Sequence, residues 1–255
     1  MMLGAWCRED RLGRRLVLIL QGLPCAWGRC RFCPFAMEQS VRLGEVIERN
    51  REIIERGEAL LEECGASRVS VFNGSSFYEL PYETVSRLYR LTRGRVVDIE
   101  SRPEYLTLDT LRATIEALGA SMLVVRVGVE VWDDRLRNEY LMKGIGRDEI
   151  ERVSRLRLEA RERGLPVQIY AYVLFGIEGI PEEKVAESLR ELNKRFDGVI
   201  AVRYHRYADW MPREAPVSDE LRSLLEREAI LVDWGEEPDW VIGGRAPGSS
   251  KPSHG

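Results

Sequence analysis

Leu16-Val-Leu-Ile-Leu20-Gln-Gly-Leu-Pro-Cys25-Ala-Trp-Gly-Arg-Cys30-Arg-Phe-Cys33 joins an unbroken apolar run to a loop that packs three thiols into nine residues. The run has the length and the Leu, Ile and Val content of a strand buried on both faces, as in a parallel sheet covered by helices. The thiols follow directly where that strand ends. Three cysteines so spaced read as a cradle for a cubane iron–sulfur cluster with one iron left without a protein ligand, whereas clusters that only carry electrons are normally closed by four. An open iron is a place for chemistry, by the logic that separates open catalytic zinc sites from closed structural ones.

A structural zinc site is the alternative. It needs a fourth ligand, and the only histidines are His205 and His254. Zinc ligands usually come as two spaced pairs, and no second pair is present. A disulfide is not expected, because five cysteines cannot all pair and no signal-peptide pattern points to an oxidising compartment. Cys7 and Cys64 lie outside the cluster spacing, and Cys64, ending an amphipathic pattern, reads as a buried small hydrophobe.

Working outward, strand-like runs recur at Leu16–Leu20, Val69–Phe72, Val96–Ile99, Leu123–Val129, Val167–Phe175 and Val199–Val202. Helical periodicity fills the gaps over Val41–Glu63, Pro81–Thr92, Thr107–Leu118, Arg147–Arg163 and Pro181–Phe196. Pro81 and Pro181, each followed by Glu, suit first helical turns, and Gly164 suits a helix end. This alternation predicts an α/β fold in which parallel strands are joined by right-handed crossovers, a partial (β/α)6 TIM-like barrel. Its core spans residues 14–208, after an N-terminal segment at 1–13. A short capping segment follows at 209–243, with a helix around Ser218–Ile230 and the aromatics Trp210, Trp234 and Trp240. Residues 244–255, rich in Gly, Ser and Pro, form a tail expected to be disordered.

Chemistry in such folds gathers at the carboxyl ends of the strands, and the polar residues fall there. The second run leads into Asn73-Gly74-Ser75-Ser76, the third into Glu100-Ser101-Arg102, the fourth into Gly128-Val129-Glu130 and the fifth into Gly176. The sixth delivers Arg203, Tyr204, His205, Arg206 and Tyr207. These form either a stacking and phosphate-binding edge or, by strand alternation, one packed and one solvated face.

With 255 residues, 44% of them hydrophobic, the chain buries one main core. A net charge of −4 supplies no general attraction for nucleic acid or anionic lipid, so a polyanionic substrate needs a local patch or a partner. No run of about 18 apolar residues and no leader pattern is present, so the expectation is a cytoplasmic protein without a membrane partner.

The three thiols, Phe32 immediately before the last of them, and the sixfold strand–helix pattern resemble the radical S-adenosylmethionine (SAM) superfamily over residues 14–207. One departure is the spacer Ala26–Arg29, four residues where the usual loop has three; longer first spacers occur in the superfamily. Within it, Asn73-Gly74-Ser75-Ser76-Phe77, Glu100-Ser101-Arg102-Pro103-Glu104-Tyr105, Gly128-Val129-Glu130 and Met142-Lys143-Gly144 are similar to the branch containing the Elongator catalytic subunit and the archaeosine-synthesis radical enzyme. Both act on tRNA bases. No acetyltransferase domain is read after the barrel, which separates the chain from the Elongator type.

The resemblance implies a [4Fe-4S] cluster on Cys25, Cys30 and Cys33, with SAM chelated to the open iron and cleaved to a 5′-deoxyadenosyl radical that abstracts a substrate hydrogen. It implies a cofactor site that includes Phe32, the Asn73, Gly74, Ser75 and Ser76 turn for the methionyl ammonium, Glu130 for the ribose hydroxyls and Gly176 beside the adenine. Glu100 and Arg102 face either the cofactor carboxylate or the substrate; alternatively Glu100, Arg102, Arg126 and Glu130 form an internal ion network. Expected partners are a reductant of flavodoxin or ferredoxin type and a tRNA or tRNA-binding subunit. A small-molecule or peptide substrate, or a non-catalytic iron–sulfur or zinc protein, stands as the alternative.

Overall fold

The computed structural model describes residues 3–235. Eight strands form one sheet in chain order: β1 (Gly4–Asp10), β2 (Gly13–Leu20), β3 (Arg68–Asn73), β4 (Val96–Ser101), β5 (Met122–Glu130), β6 (Val167–Phe175), β7 (Gly198–Arg203) and β8 (Leu231–Asp233). Pairing is parallel from β2 to β8, and β1 alone is antiparallel. The helices α1 (Leu43–Cys64), α2 (Tyr82–Thr92), α3 (Leu108–Leu118), α4 (Arg147–Glu162), α5 (Glu182–Asn193) and α6 (Asp219–Glu228) supply the crossovers between parallel strands. The partial barrel expected from the sequence is present, and its sheet is longer by a strand at each edge.

Those two strands come from segments without a long apolar run. β1 belongs to the N-terminal segment and folds back on β2 through a tight turn. Asp10 pairs with Gly13 in register there, and the Leu12 amide donates to Asp10 Oδ1 at 2.9 Å. β8 is three residues of the capping segment laid against β7. Trp240 and the tail at 244–255 lie outside the described residues.

Period-two alternation sorts the strand residues between two faces. Leu16, Leu18 and Leu20 of β2 and Val69 and Val71 of β3 are fully buried under the helices. Arg15, Val17 and Ile19, Phe72, Glu100, Arg126, Tyr172 and Val202 line the barrel lumen. A small apolar cluster of Val124, Tyr170, Ile200 and Leu231 plugs the lumen at its amino-terminal end. Above it the lumen opens toward the carboxyl ends of the strands as a cavity of about 300 Å³.

Side chains close the gap between the two edge strands. Arg8 of β1 donates through Nη1 and Nη2 to Asp233 of β8, each at 3.3 Å, and Arg11 Nη1 donates to the Glu226 carbonyl of α6 at 2.9 Å. On the outer side, Cys7 of β1 is disulfide-bonded to Cys64 at the end of α1. This corrects the expectation of an unpaired, buried Cys64. Alternation turns Cys7 away from the lumen, and the antiparallel pairing of β1 carries it to the end of a helix 57 residues away, a proximity that spacing alone does not reveal.

Candidate active site

Cys25, Cys30 and Cys33 are free thiols, half-buried on the loop after β2, and all three line the mouth of the cavity. The loop is docked on the turn that follows β5. The Arg31 amide donates to the Leu141 carbonyl at 3.0 Å, and the Trp27 indole donates to the Met142 carbonyl at 2.8 Å. The guanidiniums of Arg29 and Arg102 lie 5.3 and 5.2 Å from the Trp27 ring centre. Gly144 is what lets the ring seat: a Cβ there would meet Trp27 at 2.0 Å, and its φ of +63° favours glycine. Trp27 belongs to the four-residue spacer, so the departure from the usual spacing is used as an anchor.

Burial pushes the Cys33 thiol up to about 12 and the Cys30 thiol upward as well. A bound cation, which favours the thiolate, would reverse that. Among the described residues no three Cys, His, Asp or Glu side chains converge on one point to hold a single metal ion. A cubane needs no such convergence, because each thiolate takes its own iron.

Asn73, Gly74, Ser75 and Ser76 meet the thiols across the cavity. Asn73 is 2% exposed, and its Nδ2 donates to Ser75 Oγ at 2.8 Å and to the Ser76 carbonyl at 3.2 Å. Its Oδ1 is buried with no hydrogen-bond partner among the described residues. An orphaned buried acceptor facing a cavity fits the N–H groups of an ammonium. The space at Gly74 is taken by Phe35, which a Cβ would meet at 2.7 Å.

Glu130 lines the cavity with one of its two carboxylate oxygens already engaged. Its Oε1 accepts from Lys143 Nζ at 2.7 Å, and Lys143 also lies 5.3 Å from the centre of the Phe32 ring. Burial opposes the Lys143 charge, but Glu130 and the neighbouring thiols outweigh it and raise its pKa. Lys143 is the residue sequence reasoning did not assign to the site. Its Met-Lys-Gly turn carried a family likeness but no chemistry of its own.

Deeper in the lumen, the alternative reading of an ion network among Glu100, Arg102, Arg126 and Glu130 gives way to other pairings. Arg126 bonds Asp98 through Nη2 at 3.0 Å and Nε at 3.2 Å, Arg68 bonds the same carboxylate, and Arg15 reaches Asp10 and Ser70. Arg126 Nη1 donates to the Tyr172 hydroxyl at 3.3 Å, which in turn donates to Glu100 Oε1 at 2.8 Å. Arg102 is spent on Glu104 and on the carbonyls of Lys143 and Gly144 at 3.1 Å. Asp98 sits one alternation below Glu100, so the arginines find it first. Burial favours its protonated form, but Arg126, Arg68 and Arg15 prevail and hold Asp98 at about 2.

Gly176 has φ +73°, and the group pressed against it is the Arg203 guanidinium, which donates to the Gly176 carbonyl. His205 is tied to the Trp234 carbonyl at 2.9 Å, with Glu214 beside it. Tyr204 and Tyr207 are buried, Tyr204 donating to the Pro212 carbonyl, so they do not form an exposed stacking edge.

Several solved structures share this architecture. A queuine lyase from Clostridium spiroforme, bound to SAM and queuine, matches with a TM-score of 0.68 and 24% identity over 93% of this chain and 97% of that one. Methylornithine synthase matches with a TM-score of 0.58 and 17% identity over 93% of this chain and 77% of that one. A radical SAM methyltransferase from Sphaerobacter thermophilus matches with 0.55 and 14% over 89% and 67%. No protein-family model and no curated protein matches the chain. The fold is the partial barrel found in radical SAM enzymes, and among the described residues no helix is long and apolar enough to cross a membrane.

Proposed function

We propose that the chain is a radical SAM enzyme that abstracts a hydrogen atom from a small heterocyclic substrate held in the barrel lumen. One observation carries the reading: three free thiols on one docked loop converge on the mouth of a cavity at the carboxyl ends of the strands. Cys25, Cys30 and Cys33 hold the [4Fe-4S] cluster, and Asn73 Oδ1 accepts from the methionyl ammonium. The bound cluster and SAM supply one-electron cleavage of the sulfonium and, from it, a 5′-deoxyadenosyl radical. The protein's own part is to position the two and to exclude water and competing reactions. An external one-electron donor of flavodoxin or ferredoxin type provides the electron.

The likeness of four motifs to enzymes of tRNA bases supports a heterocyclic base as substrate. The closed gap between β1 and β8, and the queuine present in the matched lyase, favour a free base over a base within tRNA. The test is anaerobic reconstitution with iron and sulfide, reduction, and measurement of 5′-deoxyadenosine, with Cys30→Ala as control. Formation that depends on Cys30 supports the reading. Its absence from a sample with a verified cluster, with free bases and bulk tRNA each supplied, overturns it; stimulation by tRNA alone overturns the free-base part.

A further inference from the structure

The lumen below the cofactor site holds two polar groups that the proposed chemistry leaves unused. Glu100 is half-buried and lines the cavity; its Oε1 accepts from Tyr172, and among the described residues no hydrogen bond reaches its Oε2. The Tyr172 hydroxyl is itself held by Arg126, and Arg126 by the fully buried Asp98, while the Arg126 guanidinium lies 4.9 Å from the Phe72 ring centre. A carboxylate oriented through such a chain keeps one oxygen aimed at open space without paying to reorganise. On the wall formed by β1, Trp6 faces the same cavity, and its Nε1 is buried without an acceptor. Buried indole N–H groups usually find a partner.

The rest of the lumen restricts what that partner is. The cationic side chains that line the cavity are Arg8, Arg15, Arg102, Arg126, Arg203 and Lys143. Each is already paired with a carboxylate, in that order Asp233, Asp10, Glu104, Asp98, Glu214 and Glu130. Among the described residues, no cation lining the cavity lacks a counter-charge for a phosphate or carboxylate ligand to replace. Val17, Ile19, Phe72, Tyr172 and Tyr207 also line the cavity and make its wall largely apolar.

We propose that Glu100 and Trp6 are the recognition pair of a substrate subsite whose occupant is a neutral, planar heterocycle, a free base rather than a nucleotide. Glu100 Oε2 accepts from a ring N–H or exocyclic amino group, and the Trp6 indole donates to an acceptor elsewhere on the ring. Neither group touches the reacting atoms; both set specificity. The inference rests on the radical SAM reading of the same cavity.

The test is calorimetric titration of reconstituted, SAM-loaded protein with 7-deazaguanine, guanine and guanosine 5′-monophosphate as probes. At least one free base binds, and the nucleotide binds at least roughly tenfold more weakly, as loss of a charged group's desolvation without an open partner requires. Glu100→Gln weakens base binding by roughly tenfold or more, the loss expected for one charge-assisted hydrogen bond, and Trp6→Phe by a few-fold. SAM affinity in both variants stays within about twofold of the parent, which separates recognition from general damage. Unchanged base affinity in both variants overturns the proposal, as does equal binding of base and nucleotide, or no base binding by protein that forms 5′-deoxyadenosine. That last result leaves the radical reading standing, whereas failure to bind SAM at a verified cluster removes the reading itself. If Glu100→Gln does not fold, Trp6→Phe alone decides.

Discussion

Lys143 Nζ donates to Glu130 Oε1 at 2.7 Å, and the two sit where the backbone is strained: Glu130 at φ +72° and Met142 at φ +55° are the non-glycine residues with positive φ among those described. Such conformations cost on the order of 1–3 kcal/mol each and persist where surrounding contacts over-determine them, most often at functional sites. A strand bulge between Gly128 and Glu130 turns the carboxylate back into the cavity, and the turn after β5 brings the ammonium under the cysteine loop. Lys143→Met should leave Glu130 charged and unpaired. SAM affinity of the reconstituted protein is then expected to fall about tenfold, with thermal stability lowered by roughly 3 kcal/mol. Equal SAM affinity, measured by equilibrium dialysis, would detach the pair from the cofactor site.

The docking of Trp27 against Gly144 makes the cluster loop sensitive to a single methyl group. Gly144→Ala puts a Cβ 2.0 Å from the indole and forces φ +63° on alanine, so the ring must leave its seat and release its bond to Met142. Iron bound per chain after desalting should fall by half or more, while unfolding of the apoprotein shifts much less. Trp27→Ala should reproduce the iron loss without backbone strain. Retention of iron by both variants would show that the cysteines need no such anchor.

What the chain discloses before folding depends on which periodicity carries it. Six of the seven parallel strands, β2 to β7, were legible from their short apolar runs, and the cysteine loop because thiol spacing is itself the signal; the three-residue β8 was not. Nor was β1. Trp6 and Arg8 line the lumen and Asp10 bonds Arg15, so the strand alternates and lacks the apolar run of its neighbours. Pairings inside the barrel were equally opaque. Strand ends placed Glu100, Arg126 and Glu130 near one another, and register does set Glu100 beside Arg126, but the guanidinium reaches one alternation down to Asp98 and Glu130 meets a lysine from the following turn.

Asp98 gives the lumen a pH signature. Its folded pKa of about 2 lies below the ordinary carboxyl value. Its contribution is therefore complete above about pH 4 and is lost as pH falls toward 2, with a size of about 2 kcal/mol. Asp98→Asn leaves Arg126 and Arg68 buried without a counter-charge and should cost roughly 3–5 kcal/mol at neutral pH. Urea unfolding at pH 7, 4 and 3 checks both parts, because the gap between parent and variant should narrow as the acid window is entered. A constant gap would place the stabilisation elsewhere.

The Cys7–Cys64 bond fastens β1 to the end of α1 and encloses β2, the cluster loop and the whole of α1. Closing a loop of 57 residues restricts the unfolded chain by about 4 kcal/mol in the chain-entropy model. Reduction, or Cys7→Ser, should lower the melting temperature of the apoprotein by several degrees. The seven paired positions between β1 and β2 hold the strand in place without the bond. Iron content should therefore stay unchanged in Cys7→Ser, whereas Cys30→Ala loses iron and keeps the melting temperature of the oxidised apoprotein. Thiol titration of the unfolded, unreduced chain decides first: three reactive thiols are expected, and five would remove the bond from the argument.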